Sequence, residues 1–160
     1  LAETSDQLTM QASENKIKFT IGNIKLVSKV IDGKFPDYKK VVPTVNDKTL
    51  IVSSKDFINS IERVASVSLD RKEGVKLVIN KDNVQLSVNS ANSGEGNEKI
   101  KAEFSSENLN ISFNSKYLID IASAIEDKNL KMNLKDSVSP VLIEDVSDKN
   151  SYYVIMPMKI

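Results

Sequence analysis

Apolar and polar positions alternate with a period of two over Leu109–Phe113, which is typical of a half-buried β-strand. Three strand-like runs also occur further along, at 130–134, 140–144 and 152–156. Between this first strand and the three later runs, the pattern changes to the period of a helix. Its one apolar stripe is formed by Leu118, Ile121, Ala122 and Ile125. The pattern therefore predicts a unit of one strand, one helix and three strands.

The same order of elements occurs earlier in the chain. A strand precedes Ser53, which together with Asp56 has the spacing of a helix-capping box. Three strands follow the helix, and the Gly-, Asn- and Ser-rich run 89–97 is predicted to be a loop between the last two. Because residues 54–58 also match residues 115–119, we interpret the two units as an internal duplication, with chance similarity of amphipathic segments as the alternative. The helical stripe of this earlier copy is formed by Phe57, Ile61, Val64 and Ala65.

The first 31 residues resemble the back half of a further copy, with a helix end over Leu1–Asp6, a hairpin and a third strand. Gly and Pro interrupt regular structure over Asp32–Tyr38, which predicts a linker between two domains; a long loop within one domain is the alternative. Each predicted helix has one apolar face and the strands alternate. We therefore predict an α+β fold in which helices pack on one face of mostly antiparallel sheets.

Composition excludes several kinds of chemistry. The 160 residues contain no Cys and no His, which excludes disulfides, thiolate and imidazole metal sites, and Cys- or His-based catalysis. Lys+Arg 22 balances Asp+Glu 22, so net charge gives no support to nucleic-acid binding, although a neutral total can hide a segregated distribution. No apolar run approaches the roughly 20 residues that cross a bilayer. The adjacent carboxylates of Glu144 and Asp145 have poor geometry for acid–base work, and we expect no enzyme activity, no cofactor and no metal.

The C-terminus is apolar almost to its last residue, over Tyr152–Ile160. One interpretation is a final core strand, at least for Tyr153–Met156. The Met-Pro-Met sequence after it indicates something else, because Pro157 cannot donate to a strand ladder and Met side chains suit adaptable binding surfaces. Both interpretations remain open from the pattern alone.

Several motifs together resemble the beta sliding clamp of the bacterial replicative DNA polymerase. The resemblance runs colinearly over the chain and rests on Asp32–Tyr38 with Pro43, Phe113-Asn114 with Tyr117, Asp136–Val138 and Tyr153–Met158. It implies the DNA-clamp fold of duplicated β-α-β-β-β units. It also implies that residues 1–38 are the C-terminal half of a middle domain and 39–160 a C-terminal domain, with the rest of the protein upstream of Leu1.

The resemblance implies that the full-length protein is not an enzyme but a processivity factor, a homodimeric ring that encircles duplex DNA. It implies a hydrophobic pocket that receives short motifs of the Gln-Leu-x-Leu-Phe kind from the replicative polymerase, the clamp loader and repair proteins. Lys40 stands where an Arg is common, and part of the pocket wall is expected upstream of Leu1. The implied pocket positions are Pro36, Lys40, Val41, Asn114, Tyr117, Val138, Pro140, Val154, Ile155, Met156, Pro157 and Met158.

Two further surfaces follow from the same resemblance. Helices line the hole of such a ring, so Lys55, Arg63 and Lys116 are candidates to face DNA phosphates. Ring closure is expected to use the helix end near Ser66 and Val67 and a strand from Glu95 to Glu103, including Glu98. We expect a cytoplasmic location and no membrane partner. The alternative function is a repetitive β-rich interaction or surface module unrelated to replication.

Overall fold

The computed structural model describes residues 7–68, 74–90 and 93–159. The chain separates into two compact units, Leu1–Asp37 and Tyr38–Ile160. The helix end predicted over Leu1–Asp6 lies outside the described residues.

The N-terminal unit contains one antiparallel sheet in which neighbours along the chain are neighbours in space. Phe19 lies opposite Met10 on one side and Leu26 on the other, so the three central apolar residues share one face. The predicted hairpin and third strand are confirmed. Its strands are β1 (Thr9–Ala12), β2 (Lys16–Ile21) and β3 (Ile24–Lys29).

The C-terminal unit begins with a 3₁₀ turn, Tyr38–Lys40, and then contains the predicted duplication. The first copy consists of β4 (Lys48–Ser53), α1 (Ser54–Ala65), β5 (Gly74–Ile79), β6 (Asn83–Ser90) and β7 (Gly94–Phe104). The second copy consists of β8 (Leu109–Asn114), α2 (Ser115–Ser123), β9 (Asn129–Leu134), β10 (Val141–Glu144) and β11 (Tyr152–Ile155). The predicted α+β clamp fold of two β-α-β-β-β units is confirmed.

The two copies exchange their first strands. Strands β4 to β11 form one antiparallel sheet in the order β11-β10-β9-β4-β7-β6-β5-β8. Strand β4 pairs with β9 of the second copy as well as with β7 of its own, and β8 pairs with β5 of the first copy. Because each copy completes the other's sheet, neither copy is an independent folding unit.

Both helices contribute to one core against the sheet. Phe57, Ile61 and Val64 of α1 are buried with Leu118 and Ala122 of α2, and they belong to the same cluster as the inward residues of the strands. The outward positions alternate with them and are polar or half-exposed, as period two requires. The two predicted helical stripes therefore bury the faces expected of them, apart from the half-buried Ala65 and Ile121.

The predicted loop over residues 89–97 is wrong. Strand β6 continues to Ser90 and β7 begins at Gly94, and the ladder pairs Val88 with Gly96 and Ser90 with Gly94. Backbone pairing in this long hairpin overrides a composition that usually marks a loop. The two strands therefore cover most of the run that was predicted to be a loop.

Candidate functional site

The chain after β11 leaves a gap at the open edge of β8. In the first copy the last strand, β7, runs for 11 residues and pairs with β4. In the second copy β11 stops at Ile155 after 4 residues. Pro157 has no N–H, and the chain contacts β8 again through the Met158 N–H, which donates to the Ser112 carbonyl oxygen at 2.7 Å. The second copy thus lacks the strand pairing that seals the first.

A cavity of about 520 Å³ opens at this gap, and we call it the tail cleft. It is bounded by β5, β8, the turn before β10 and the C-terminal tail. Val138 on its rim is 61% exposed, and Met156 on the adjacent tail is 59% exposed, which is unusual for large apolar side chains. The tail cleft is lined by Lys76, Asn110, Ile111, Ser112, Ser137, Val138, Met158 and Lys159.

The turn that presents Val138 is fixed by Asp136. One carboxylate oxygen of Asp136 accepts the N–H groups of Val138 at 2.9 Å and Ser139 at 2.7 Å, and the other accepts the Ser139 hydroxyl. These hydrogen bonds hold the pKa of Asp136 below its ordinary value, the Val138 N–H being the largest cause. Asn46 adds a brace, because its side-chain amide donates to the carbonyl oxygens of Asn133 and Pro140. The rim of the cleft is therefore pre-formed.

The N-terminus of α2 adds two of the predicted pocket residues. Asn114 is the N-cap, and its side-chain oxygen accepts the Tyr117 N–H at 3.3 Å. That bond leaves the amide nitrogen of Asn114 as the group able to donate to a ligand. The Tyr117 ring is 58% exposed. Strand β8 carries both Asn114 and Ser112, so the α2 terminus and the tail cleft lie at the same strand.

The remaining pocket positions lie in different surroundings. Ile155 is only 4% exposed and belongs to the core, so it supports the tail from below. Val154, Pro157 and Pro140 are half-buried. Val41 is exposed at the start of the C-terminal unit, directly after Lys40 of the 3₁₀ turn. Pro36 belongs to the N-terminal unit.

The helix layer carries as many acids as bases. Helices α1 and α2 contain the bases Lys55, Arg63 and Lys116 and the acids Asp56, Glu62 and Asp120. Lys116 lies 3.9 Å from Asp120, whereas Lys55 is exposed at the first turn of α1. This layer therefore presents a mixed and not a uniformly positive surface.

Arg63, predicted to face DNA, is paired with Glu98, predicted to lie in the subunit interface. The two side chains form a bidentate pair, with Nε to Oε1 at 2.8 Å and Nη2 to Oε2 at 3.1 Å, and Nη2 also donates to the Ser60 hydroxyl. The bond from Arg63 lowers the pKa of Glu98. This pair ties the last turn of α1 to β7, close to the exposed Ser66 and half-buried Val67, while Glu95 is exposed on β7.

The acidic residues of β10 have structural partners. Glu144 accepts from Lys131 at 2.8 Å and from Asn133, which together lower its pKa. Asp145 is buried and accepts hydrogen bonds from Ser147 and from the Glu126 N–H, which lower its pKa. Within residues 7–68, 74–90 and 93–159, no group of three or more Asp or Glu side chains could hold a metal ion.

The sequence pattern did not identify the β8 side of the cleft. Lys76 lines it from β5. Asn110 and Ser112 line it because β8 is the last strand of the sheet, with no strand beyond it. Their alternation with Ile111 and Phe113 indicated an outward face. Their place at an open edge depends on the exchange of strands between the copies.

Comparison with known proteins agrees with this geometry. The family described as "DNA polymerase III beta subunit, C-terminal domain" matches residues 39–159. The beta sliding clamp of Caulobacter vibrioides is 32% identical over 160 residues, all of this chain, and that of Escherichia coli K12 is 33% identical over 153 residues, 96% of it. The chain spans only 43% and 42% of the lengths of these two relatives.

Solved structures give the same result. A sliding clamp from Bartonella birtlesii, bound to griselimycin, superposes with a TM-score of 0.85 at 40% identity over 96% of this chain and 41% of its own. A sliding clamp from Pseudomonas aeruginosa superposes with a TM-score of 0.84 at 29% identity over 99% of this chain and 43% of its own. In the part of this chain that the structure describes, no helix is long and apolar enough to cross a membrane. The chain belongs to the beta sliding clamp family, the beta subunits of DNA polymerase III.

Proposed function

We propose that this chain is the part of a sliding clamp that captures partner proteins, through a peptide-binding notch formed by the tail cleft and the N-terminus of α2. The observation that carries the proposal is the interrupted last strand. Val138 lines the cleft, the exposed Met156 lies on the adjacent tail, and a continuous strand would have filled this space. Apolar side chains of a bound motif would be buried there, and each contributes about 1.5–3 kcal/mol when fully buried.

The polar groups around the notch suit an extended peptide. Asn114 can donate from its amide nitrogen because its oxygen is held by the helix cap. Strand β8 has an open edge, which can bond to the backbone of a ligand strand. Lys40, Val41 and Pro140 are proposed to complete the wall. The notch therefore offers apolar anchoring and backbone recognition together.

In the full-length protein we propose that two subunits close into a ring around duplex DNA. The replicative polymerase, the clamp loader and repair proteins would bind through short motifs, so the protein acts by tethering and not by catalysis. Lys55 and Lys116 are the proposed phosphate contacts, and the surface near Ser66, Val67 and Glu95 the proposed closing interface. A topological link makes tight phosphate binding unnecessary, which is compatible with the mixed charge of the helix layer. Work on a chromosome implies a cytoplasmic location.

Peptide titration tests the notch. A fluorescent peptide carrying Gln-Leu-x-Leu-Phe should bind saturably to the chain, and Met156→Ala should weaken it. Met156 is exposed in the free chain and would be buried by the peptide, so truncating it removes about 1–2 kcal/mol of apolar contact, or roughly 5- to 30-fold in Kd. Met10→Ala is the matched control, because Met10 is 62% exposed but belongs to the N-terminal unit. Equal affinity of the Met156→Ala variant and the unaltered chain would contradict the proposal.

Ring closure needs the full-length protein. Loaded onto circular DNA, it should remain bound in high salt and dissociate when the circle is cut once, since only a topological link depends on the ends of DNA. Release from intact circles at the same rate as from linear DNA would count against the ring.

A further inference from the structure

One face of the N-terminal sheet is basic and the other is apolar. Strand register assigns side chains to faces, because residues directly opposite each other in a ladder point the same way. The apolar face consists of Met10, Ala12, Ile17, Phe19, Ile21, Ile24 and Leu26, with Ser28. The opposite face, which we call the lysine face, consists of Thr9, Gln11, Lys16, Lys18, Thr20, Lys25, Val27 and Lys29.

The four lysines of this face form a short strip. Lys16 lies directly opposite Lys29, Lys18 follows Lys16 on the same side of β2, and Lys25 lies opposite Thr20. Neighbouring strands are about 4.8 Å apart and alternate residues about 6.8 Å apart, so the strip is roughly 14 Å long. Lys16, Lys25 and Lys29 are exposed and Lys18 is half-buried.

These charges do not stabilise the sheet. Like charges directly opposite on paired strands repel, as Lys16 and Lys29 must. None of the four lysines forms an ion pair with a residue that the structure describes, and the nearest acid along the chain, Glu14, lies in the turn beside them without pairing. Neutral side chains at these positions would not repel one another. A bound anion would relieve the repulsion between the lysines.

We infer that the lysine face binds the phosphate backbone of duplex DNA. The ammonium groups of its lysines can donate to phosphate oxygens, and so can the hydroxyl and amide groups of Thr9, Thr20 and Gln11. Its one large apolar residue is Val27, and it has no aromatic ring, so it offers neither a stacking platform nor an anchor for a peptide. Sequence-independent contact with a regular row of phosphates is the recognition that such a surface can supply.

This site is distinct from the DNA contacts proposed above. Those lie on α1 and α2, where three acids offset three bases, whereas the lysine face contains no acid. The inference does not depend on the peptide notch, which contains none of these lysines.

The salt dependence of binding measures the number of phosphates contacted. Four contacts predict a slope of about −3.6 for log K against log salt, so affinity should fall about 150-fold from 50 to 200 mM salt. Losing two contacts reduces the slope to about −1.8 and the loss to about 12-fold over the same range. The difference between these slopes is the expected signature.

Fluorescence anisotropy with a labelled duplex of roughly 20 base pairs reads these slopes on the full 160-residue chain. Lys16→Gln with Lys29→Gln should give the shallower slope, with unchanged circular dichroism because both side chains are exposed. Lys128→Gln with Lys149→Gln removes the same charge from exposed positions of the C-terminal unit outside the proposed DNA contacts, and should keep the steeper slope.

Three results would overturn the inference. The first is the same reduction of the slope in both double variants, which would make it an effect of net charge and remove the lysine face. The second is no binding of duplex DNA at low salt. The third is displacement of the duplex by poly-glutamate at equal charge concentration, because an acidic protein segment would then be the better partner.

Discussion

The backbone of α1 lies close to the sheet at Gly96, and Gly96→Ala should destabilise the C-terminal unit. A Cβ at this position would lie 2.8 Å from the Val64 carbonyl oxygen and 3.0 Å from the Val64 Cα. Both are backbone atoms, so no rotamer change can relieve the contact. The last turn of α1 must move away from β7, and the Arg63–Glu98 pair that joins them must move with it.

The magnitude follows from two opposing effects. Overpacking against backbone costs about 2–3 kcal/mol, the upper part of the usual range for inserted groups. The backbone of Gly96 is not in the left-handed region, so alanine also restricts the unfolded chain and returns about 0.4–1 kcal/mol. The expected net loss is about 1–2.6 kcal/mol, which raises the ratio of unfolded to folded protein about 5- to 80-fold.

Urea unfolding followed by far-UV circular dichroism measures this loss, because the described helices α1 and α2 both belong to the C-terminal unit. Asn97→Ala is the control, since Asn97 is exposed on the same strand and should change stability by less than about 0.5 kcal/mol. Val64→Ala should not rescue Gly96→Ala, because the contact involves the backbone and not the side chain of Val64. A Gly96→Ala variant as stable as the Asn97→Ala control would refute the close approach.

Three other predictions concern pH, the helix cap and assembly. The pKa of Asp145 is lowered by the Ser147 hydroxyl and the Glu126 N–H. Its stabilising effect is therefore present above the unfolded pKa of about 3.9 and is lost as pH falls through the lower folded value. Asp145→Asn should flatten the acid limb of a curve of stability against pH, and an unchanged limb would exclude this role. Asn114→Ser should keep the cap of α2 but weaken peptide binding, because serine has no amide nitrogen. Asn114→Ala should weaken binding and also lose about 1 kcal/mol of stability. A serine variant with full peptide affinity would mean that the amide nitrogen is not used. On gel filtration the 160-residue chain should elute later than a closed ring would, because ring closure is proposed for the full-length protein. A stable closed dimer of this chain would contradict the proposed closing surface.

The elements were predictable because their signals are local. The period-two pattern and the helical stripe depend on residues a few positions apart. The caps at Ser53 and Asn114 each join residues that are three positions apart. The exchange of β4 and β8 between the copies could not be predicted this way. It is decided by which strand edges meet in space, over separations of more than 30 residues.

The candidate sites divide in the same way. The unusual tail was visible in the sequence because Met-Pro-Met breaks a strand pattern, but the β8 wall of the cleft was not. The Arg63–Glu98 pair joins residues that are 35 positions apart, and nothing local indicates it. Only the β2 part of the lysine face was indicated by the sequence, because Lys16 and Lys18 alternate with apolar residues. Its other half required the register that sets Lys29 opposite Lys16.

The duplication also explains why the tail cleft occurs at one end of the sheet and not the other. Two identical copies would each end in a strand long enough to pair with the first strand of its own copy, as β7 does with β4. The second copy departs from this at Pro157, whose missing N–H ends the ladder, and the N–H of Met158 still holds the tail to β8. The cleft is thus the space left by a pairing that the fold permits and the sequence prevents. A ligand strand in that space would supply the backbone groups that the tail withholds, so the proposed binding there would require no rearrangement of the core.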